Sequence, residues 1–130
     1  MKICLVNLDI ARKNKEKNLS SMEEHIQKIK DRDADIDTIV FPELGCVGYV
    51  LDETADEESE NTEGYCVRET QRLAAKYTVN IISGFLEKNA NGKPYNTAFA
   101  VNKSGELIGK YRKNHLYSES EEKNLYSKGE

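Results

Sequence analysis

Short apolar runs separated by longer polar or amphipathic segments are the feature that most constrains the fold of this chain. Three of them cover residues 2–8, 37–42 and 79–86, with the sequences KICLVNL, DTIVFP and VNIISGFL. Runs of this length and character are typical of strands that are buried in a sheet. Pro42 ends the second run, because proline has no N–H to donate to a neighbouring strand. The sequence therefore predicts three strands.

The segments between these runs predict two helices. In residues 19–33 apolar side chains recur at three- and four-residue steps, and Ser21 followed by Glu24 predicts a capping box at the helix start. A second helix is predicted from Thr62, as its cap, to about Tyr77. The residues expected to face the core are Leu19, Met22, Ile26 and Ile29 in the first helix and Val67, Leu73, Ala74 and Tyr77 in the second.

Two further strands are predicted in the last third of the chain, at residues 95–102 and 106–113, joined by a short turn containing Gly105. The pair Asn91-Gly92 predicts a tight turn before them, because both residue types accept positive φ. The element order is β-α-β-α-β-β-β, which predicts an α/β layer with parallel strands first and a hairpin later. A chain of 130 residues is long enough for one domain with a modest core.

Composition excludes several classes of function. The net charge is −4, so there is no basic patch for a nucleic acid. No stretch approaches the ~18–20 apolar residues that a membrane span requires. The run Asp52 to Glu63 carries seven carboxylates and no Lys or Arg, which is typical of a solvated loop. Cysteines 4, 46 and 66 are odd in number and lack CxxC spacing, which indicates reduced thiols and a cytoplasmic protein.

Two residues at strand ends are candidates for chemistry. Glu43 follows the strand at 37–42 and precedes a glycine-containing turn, and the carboxyl ends of strands are where ligands collect in α/β sheets. Lys113 ends the last predicted strand, where an ammonium group could stabilise an oxyanion. From the local patterns alone, a surface glutamate and a solvated basic edge around Lys113 and His115 are the simpler interpretations.

A series of motifs along the chain favours a functional interpretation of Glu43 and Lys113. They are the opening strand at 2–8, FPELGCVGY at 41–49, GFLE at 84–87, YNTAFAVNKSGELIGKYRKNHL at 95–116 and EKNLYSKGE at 122–130. In this order they resemble the nitrilase superfamily, the carbon-nitrogen hydrolases. The resemblance spans essentially the whole chain. It implies that residues 1–130 form a single partial domain, the N-terminal half of an α-β-β-α sandwich.

The resemblance also implies roles for three residues. Glu43 would be the general base and Lys113 the cation that stabilises the tetrahedral intermediate. Glu122 matches the second glutamate of many members, which helps to position the lysine and the substrate. A plain exposed loop carboxylate is an equally good interpretation of Glu122, because Glu119 and Glu121 crowd the same stretch. The third member of the Glu-Lys-Cys site, a cysteine nucleophile, lies in this family a few tens of residues after the lysine.

The cysteines within the chain do not match that nucleophile. Cys46 is the local candidate nearest to Glu43, but it lies in the turn after the strand, and buried packing roles are expected for Cys4, Cys46 and Cys66. Two isolated histidines, His25 and His115, give no metal signature. We therefore expect no metal and no cofactor.

Three hypotheses follow for the function. The first is a truncated copy of a hydrolase whose complete form cleaves an amide, a carbamoyl compound or a nitrile, so that this chain is inactive alone. The second is a non-catalytic binding or interaction module, and the third is one half of a split enzyme. Homo-oligomerisation is expected from the resemblance, and a half sandwich should leave an apolar sheet face uncovered.

Overall fold

One five-stranded sheet organises the fold, which the computed structural model describes for all of residues 1–130. The elements in chain order are β1 (Ile3–Leu5), α1 (Lys15–Arg32), β2 (Thr38–Val40), a 3-10 turn (Glu53–Ala55), α2 (Tyr65–Tyr77), β3 (Asn80–Glu87), β4 (Tyr95–Val101), β5 (Leu107–Arg112) and α3 (Glu122–Leu125). All five predicted strands are confirmed, with β1 and β2 shorter than their apolar runs.

The strands follow one another in the sheet in the order β1-β2-β3-β4-β5. β1, β2 and β3 are parallel, and β3, β4 and β5 are antiparallel, as the element order predicts. In this register Ile39 of β2 lies opposite Cys4 of β1 and Ile81 of β3. Successive side chains of a strand point to opposite faces, so the pairing fixes which residues share a face.

Both long helices pack on one face of the sheet, the helix side. The core there contains the predicted residues Leu19, Met22, Ile26, Val67, Leu73 and Ala74, packed against Ile39, Ile81, Phe85, Phe99 and Val101. Phe85 and Phe99 meet edge to face, with ring centroids 5.4 Å apart. Ile29 and Tyr77 are only partly buried against this core.

The opposite face of the sheet has no helical layer, and we call it the open face. Part of it is apolar and solvent-exposed: Leu5 is 78%, Tyr111 56% and Ile82 37% exposed. Its other end is covered by a second, smaller cluster formed by Leu44, Val47, Val50, Ala55, Leu86 and Tyr126. The segment after β2 and the α3 region therefore lie over the end of the sheet that carries the candidate site.

Both predicted helix starts are wrong. α1 begins one turn earlier, at Lys15, because the side chain of Asn14 accepts a hydrogen bond from the Lys17 N–H. Ser21 and Glu24 consequently lie in the helix interior and form no capping box. A polar first turn hides this start from a search for apolar periodicity.

α2 begins after Gly64, and Thr62 does not cap it. Instead the carboxylate of Glu60 accepts a 2.9 Å hydrogen bond from the Cys66 N–H in the first turn. Glu60 also pairs with Lys15 at 2.9 Å, and Asp52 pairs with Lys13 at 3.0 Å. The acidic run is therefore in part a set of ion-paired carboxylates that hold the loop against the helices.

The two predicted turns differ in outcome. Gly105 has a φ of +83° in the turn between β4 and β5, as a tight connection requires. Asn91 and Gly92 lie in a longer connection between β3 and β4, and neither has a positive φ. No helix of the structure combines the length and the apolar character needed to cross a membrane.

Candidate active site

Three separate segments bring Glu43, Lys113 and Glu122 into one charged cluster. The Lys113 ammonium lies 2.9 Å from Oε1 of Glu43 and 3.1 Å from the carboxylate of Glu122. Glu43 and Lys113 are 70 residues apart in the chain. The cluster lies at the carboxyl end of β2 and the end of β5, where the sequence predicts ligands to collect.

Glu43 is held in place by the tight path of the chain after β2. Leu44 adopts a left-handed conformation with a φ of 50°, which is uncommon for a residue with a side chain. Gly84 of β3 allows this turn to lie against the sheet, because a Cβ on Gly84 would come within 2.7 Å of the Leu44 nitrogen. The Cys46 N–H then donates a 3.1 Å hydrogen bond to the Gly84 carbonyl.

The backbone of Lys113 is fixed on both sides. Its N–H donates to the Asn96 carbonyl at 2.8 Å, and its carbonyl accepts from the Gly129 N–H at 2.9 Å. Gly129 tolerates this approach because it has no side chain: a Cβ there would lie 2.3 Å from the Arg112 carbonyl oxygen. The lysine side chain therefore starts from a defined position at the end of β5.

Glu122 is only 2% exposed, so the interpretation as an exposed loop carboxylate is wrong. It lies at the start of α3, and its second oxygen accepts a 2.8 Å hydrogen bond from the Tyr117 N–H. A buried carboxylate requires such partners to offset the loss of hydration. The backbone contact fixes the Glu122 side chain, and this fixes one neighbour of the Lys113 ammonium.

Two further residues reach the same cluster and were not predicted. Asn96 of β4 donates a 2.7 Å hydrogen bond to Oε1 of Glu43, and the Tyr49 hydroxyl donates to Oε2. Both lie inside the motifs that carry the family resemblance, at FPELGCVGY and YNTA. Their positions in those motifs were a usable signal, but the contacts depend on a turn and a strand pairing that residue types alone do not specify.

The pKa values of the cluster favour the ionised pair. Burial raises the pKa of the Glu43 carboxyl, but the hydrogen bonds from Tyr49, Lys113 and Asn96 outweigh burial and hold it below its ordinary value. Burial lowers the pKa of Lys113, while Glu43 and Glu122 raise it by more, so the net shift is upward. Burial and the contact with Glu43 raise the pKa of Tyr49. At neutral pH the tyrosine is therefore a hydrogen-bond donor to a charged carboxylate.

Replacing Tyr49 by phenylalanine is expected to raise the pKa of Glu43, because the change removes a donor that stabilises its charged form. The measurement is an NMR titration of the Glu43 side-chain carboxyl carbon. Tyr117→Phe is the matched control, since the Tyr117 hydroxyl donates to Glu119 and not to Glu43. An unchanged or lowered Glu43 pKa in Tyr49→Phe would contradict the hydrogen bond.

The cysteines of the chain serve packing. Cys46 and Cys66 are buried in the helix-side core, where the Cys46 thiol lies 3.7 Å from the Ser83 hydroxyl. Cys4 is partly buried in β1. No group of three or more His, Cys, Asp or Glu side chains is placed to hold a metal ion. The charged cluster consists of the Glu43 carboxylate, the Lys113 ammonium and the Glu122 carboxylate.

The family model of carbon-nitrogen hydrolases matches residues 2–130. The chain is 35% identical over 130 residues to a "Hydrolase in agr operon" of Staphylococcus aureus, covering 100% of this chain and 49% of that protein. It is 32% identical to the 2-oxoglutaramate amidase of Bacillus subtilis (strain 168), covering 98% of this chain and 48% of the amidase. The chain thus spans about half the length of the curated relatives that it matches.

Solved structures agree on the fold. A carbon-nitrogen hydrolase from Helicobacter pylori G27 superposes with a TM-score of 0.87 at 22% identity, over 100% of this chain and 45% of that one. Saccharomyces cerevisiae Nit3, a member of branch 10 of the nitrilase superfamily, superposes with a TM-score of 0.86 at 28% identity, over 100% of this chain and 49% of Nit3.

The fold and the charged cluster define an α/β protein with a carboxylate–ammonium–carboxylate site at one end of its sheet. The chain belongs to the carbon-nitrogen hydrolase family, and its fold is that of the N-terminal half of a nitrilase-type domain. The family and fold predicted from the sequence motifs are confirmed.

Proposed function

We propose that this chain supplies the general base and the oxyanion-stabilising cation of a hydrolase that cleaves a non-peptide C–N bond. The observation that carries the proposal is the Lys113 ammonium bridging Glu43 at 2.9 Å and Glu122 at 3.1 Å. The nucleophile in this proposal is a cysteine outside residues 1–130, because the cysteines of the chain are packing residues. The complete catalytic unit is then a longer chain, or a partner polypeptide supplies the thiol.

Glu43 acts twice in this mechanism. A thiol attacks mainly as the thiolate, so a carboxylate within reach must accept its proton. The thiolate then attacks the carbon of the C–N bond, and the protonated Glu43 returns the proton to the leaving nitrogen. In the second half of the reaction Glu43 takes a proton from water as the water attacks the acyl-enzyme thioester. The carbon–sulfur bond then breaks, the acid product is released, and Glu43 returns the proton to the departing thiolate.

Lys113 stabilises the negative oxygen that forms at each attack. An ammonium group has three N–H donors, and Glu43 and Glu122 take two of them. The third donor is free for the oxyanion. Because the lysine is fixed before the reaction, its charge requires little reorganisation when the oxyanion develops.

We place the cysteine nucleophile of this proposal on a segment that packs against the open face. Asn96 and Ala98 lie on the same face of β4. Tyr111 of β5 lies opposite Ala98, and Lys113, directly after β5, donates its N–H to the Asn96 carbonyl. The apolar surface therefore runs directly into the charged cluster. Exposed apolar patches of this kind mark surfaces that another protein segment covers. A segment packed on the open face would bring its side chains to Glu43 and Lys113.

The substrate class that we propose is a small amide, with a carbamoyl compound or a nitrile as the alternatives. The amidase of Bacillus subtilis among the relatives supports the amide. All three present an electrophilic carbon bound to nitrogen, and none requires a metal or a cofactor in this mechanism. We further propose that the complete protein is a homo-oligomer in the cytoplasm.

The test uses the natural protein, read from its coding sequence through and beyond the codon of Glu130. Glu43→Gln should lower kcat/KM for small amides by about 10²-fold or more, because it removes the base. Glu24→Gln, an exposed substitution on α1, is the matched control and should retain activity. Unchanged turnover in Glu43→Gln would overturn the assignment of roles. A coding sequence that ends at Glu130, with no partner cysteine, would overturn the hydrolase itself.

A further inference from the structure

A second charged cluster lies on the helix side of the sheet, away from the candidate active site. Its centre is Glu87 at the end of β3, whose side chain is only 5% exposed. Its carboxylate accepts hydrogen bonds from the Thr97 hydroxyl at 2.9 Å and from the Arg112 guanidinium at 2.9 and 2.7 Å. It also pairs with Lys110. None of these groups takes part in the proposed chemistry.

The cluster links three strands at one end of the sheet. Thr97 of β4 lies directly opposite Arg112 of β5, and Glu87 of β3 lies opposite Tyr95 of β4. The Arg112 guanidinium also stacks over the Tyr95 ring, 4.2 Å from the ring centroid. We call Glu87, Thr97, Arg112 and Tyr95 the Glu87 clamp. It holds a guanidinium by two-point hydrogen bonding on one side and an aromatic face on the other.

Stability alone is a weak reason for such a cluster. Glu87 loses its hydration on burial, while solvent screens its pairs with Lys110 and Arg112, whose side chains are 37% exposed. Well-packed apolar residues of similar volume often stabilise a fold equally well. A two-point arginine–carboxylate contact offers something else, because it fixes a direction as well as a position. The clamp therefore defines the orientation of β5 at its end.

The residue that follows Arg112 is Lys113. Successive side chains point to opposite faces, so the orientation of Arg112 on the helix side sets the direction of Lys113 on the open side. Beyond β5 the Lys113 backbone is held by single hydrogen bonds to Asn96 and Gly129. A lysine side chain has many rotamers, and contacting Glu43 at 2.9 Å and Glu122 at 3.1 Å together requires it to be ordered, which a fixed backbone favours.

We propose that the Glu87 clamp is the positioning device of Lys113, and that Glu87 and Arg112 are positioning residues of the candidate active site. The expected effect on turnover rests on the proposed function, whereas the effect on the position of Lys113 does not depend on it. Loosening the clamp lets the end of β5 shift, so that the Lys113 ammonium leaves its two carboxylates. Displacements of about 1 Å in a catalytic group are enough to lower rates about 10²-fold.

The decisive measurement is the pKa of Lys113, by NMR titration of its side-chain carbon and nitrogen, in Arg112→Met and in Lys110→Met. Both substitutions remove one cation from Glu87, so their direct electrostatic effects on Lys113 have the same sign. Removing a nearby positive charge would by itself raise the pKa of Lys113. Loss of positioning would lower it, because the contacts with Glu43 and Glu122 raise it in the intact protein. The two explanations therefore predict opposite signs.

We expect the pKa of Lys113 to be lower in Arg112→Met than in the unmodified protein. In Lys110→Met we expect no decrease. A raised or unchanged Lys113 pKa in Arg112→Met, or the same decrease in both variants, would overturn the proposal. Thr97→Val is a milder variant that removes one hydrogen bond to Glu87, should Arg112→Met fail to fold. It should lower the Lys113 pKa in the same direction, and an unchanged value there would count against the clamp.

A kinetic measurement in the natural protein completes the test. Arg112→Lys keeps the charge but loses the two-point contact, and we expect kcat to fall about tenfold with little change in KM. If Arg112→Lys lowers the Lys113 pKa but leaves kcat unchanged, the proposed function is wrong. If the Lys113 pKa is unchanged in Arg112→Lys while activity still depends on Glu43, the positioning role of the Glu87 clamp is wrong.

Discussion

Replacing Lys113 by alanine should lower the kcat of the proposed hydrolase by about 10²–10³-fold, the range observed when one oxyanion-stabilising donor is removed. Two separate losses contribute. The oxyanion loses its ammonium donor, and Glu43 loses the cation 2.9 Å from its carboxylate, which shifts the pKa of the base. Glu122, 2% exposed, is left without its ion-pair partner. The measurement is steady-state turnover of a small amide.

Two control variants test whether the loss of activity is specific to the Lys113 ammonium. Lys88→Ala removes a surface lysine that pairs with Asp56 at 3.7 Å, and it should retain activity. Lys113→Arg keeps the positive charge but should not restore activity, because a planar guanidinium does not replace a compact ammonium between two carboxylates. If Lys113→Ala kept its kcat within about threefold of the unmodified enzyme while remaining folded, the lysine would not be the oxyanion cation.

The first three strands could be predicted from the sequence because their apolar runs are short and end at clear signals, such as Pro42. The last two could be predicted because a short turn with Gly105 joins them. The parallel-then-antiparallel order followed from helices between the first strands and short turns between the last. The helix starts could not be predicted in the same way. Asn14 and Glu60 accept hydrogen bonds from the free N–H groups at these starts. Glu60 belongs to the acidic run, which the sequence predicts to be a solvated loop.

The candidate site likewise contains residues that the sequence indicates and residues that only the assembled fold reveals. Motif order makes Glu43 and Lys113 candidates, and the structure brings their side chains to 2.9 Å, whereas their local patterns favour a surface glutamate and a basic strand edge. The burial of Glu122 was not predictable, because it depends on contacts with Lys113 and with the backbone of Tyr117. Asn96 was missed because a strand asparagine acquires its partner only when two strands and a turn assemble.

Replacing Glu87 by glutamine should make the fold less stable at neutral pH and remove part of its acid sensitivity. Burial raises the pKa of Glu87, but the contacts with Arg112, Lys110 and Thr97 lower it to about 2 from an ordinary value of 4.5. The upper limit of the linked free energy is about 3 kcal/mol. Because Lys110 and Arg112 are each 37% exposed, screening reduces the expected loss to about 2 kcal/mol.

The sign of the pH dependence follows from the lowered pKa. Charged Glu87 stabilises the fold fully above about pH 4.5, and this contribution is lost as the pH falls toward about 2. Urea unfolding across this range should therefore give a steeper decline for the unmodified chain than for Glu87→Gln. Glu57→Gln, at an exposed position, should follow the unmodified chain. Parallel declines for the unmodified chain and Glu87→Gln would contradict the lowered pKa.

Stability and positioning can then be separated at the same residues. Replacing Glu87, Lys110 and Arg112 together by apolar residues removes the buried charge with its partners, and such replacements often restore or increase stability. Apolar side chains do not reproduce the directed two-point contact, so the Lys113 pKa should stay lowered even where the unfolding free energy recovers. A variant that regains stability but not the Lys113 pKa would identify the contacts of Glu87 with Arg112 and Lys110 as the part of the sheet that orients Lys113.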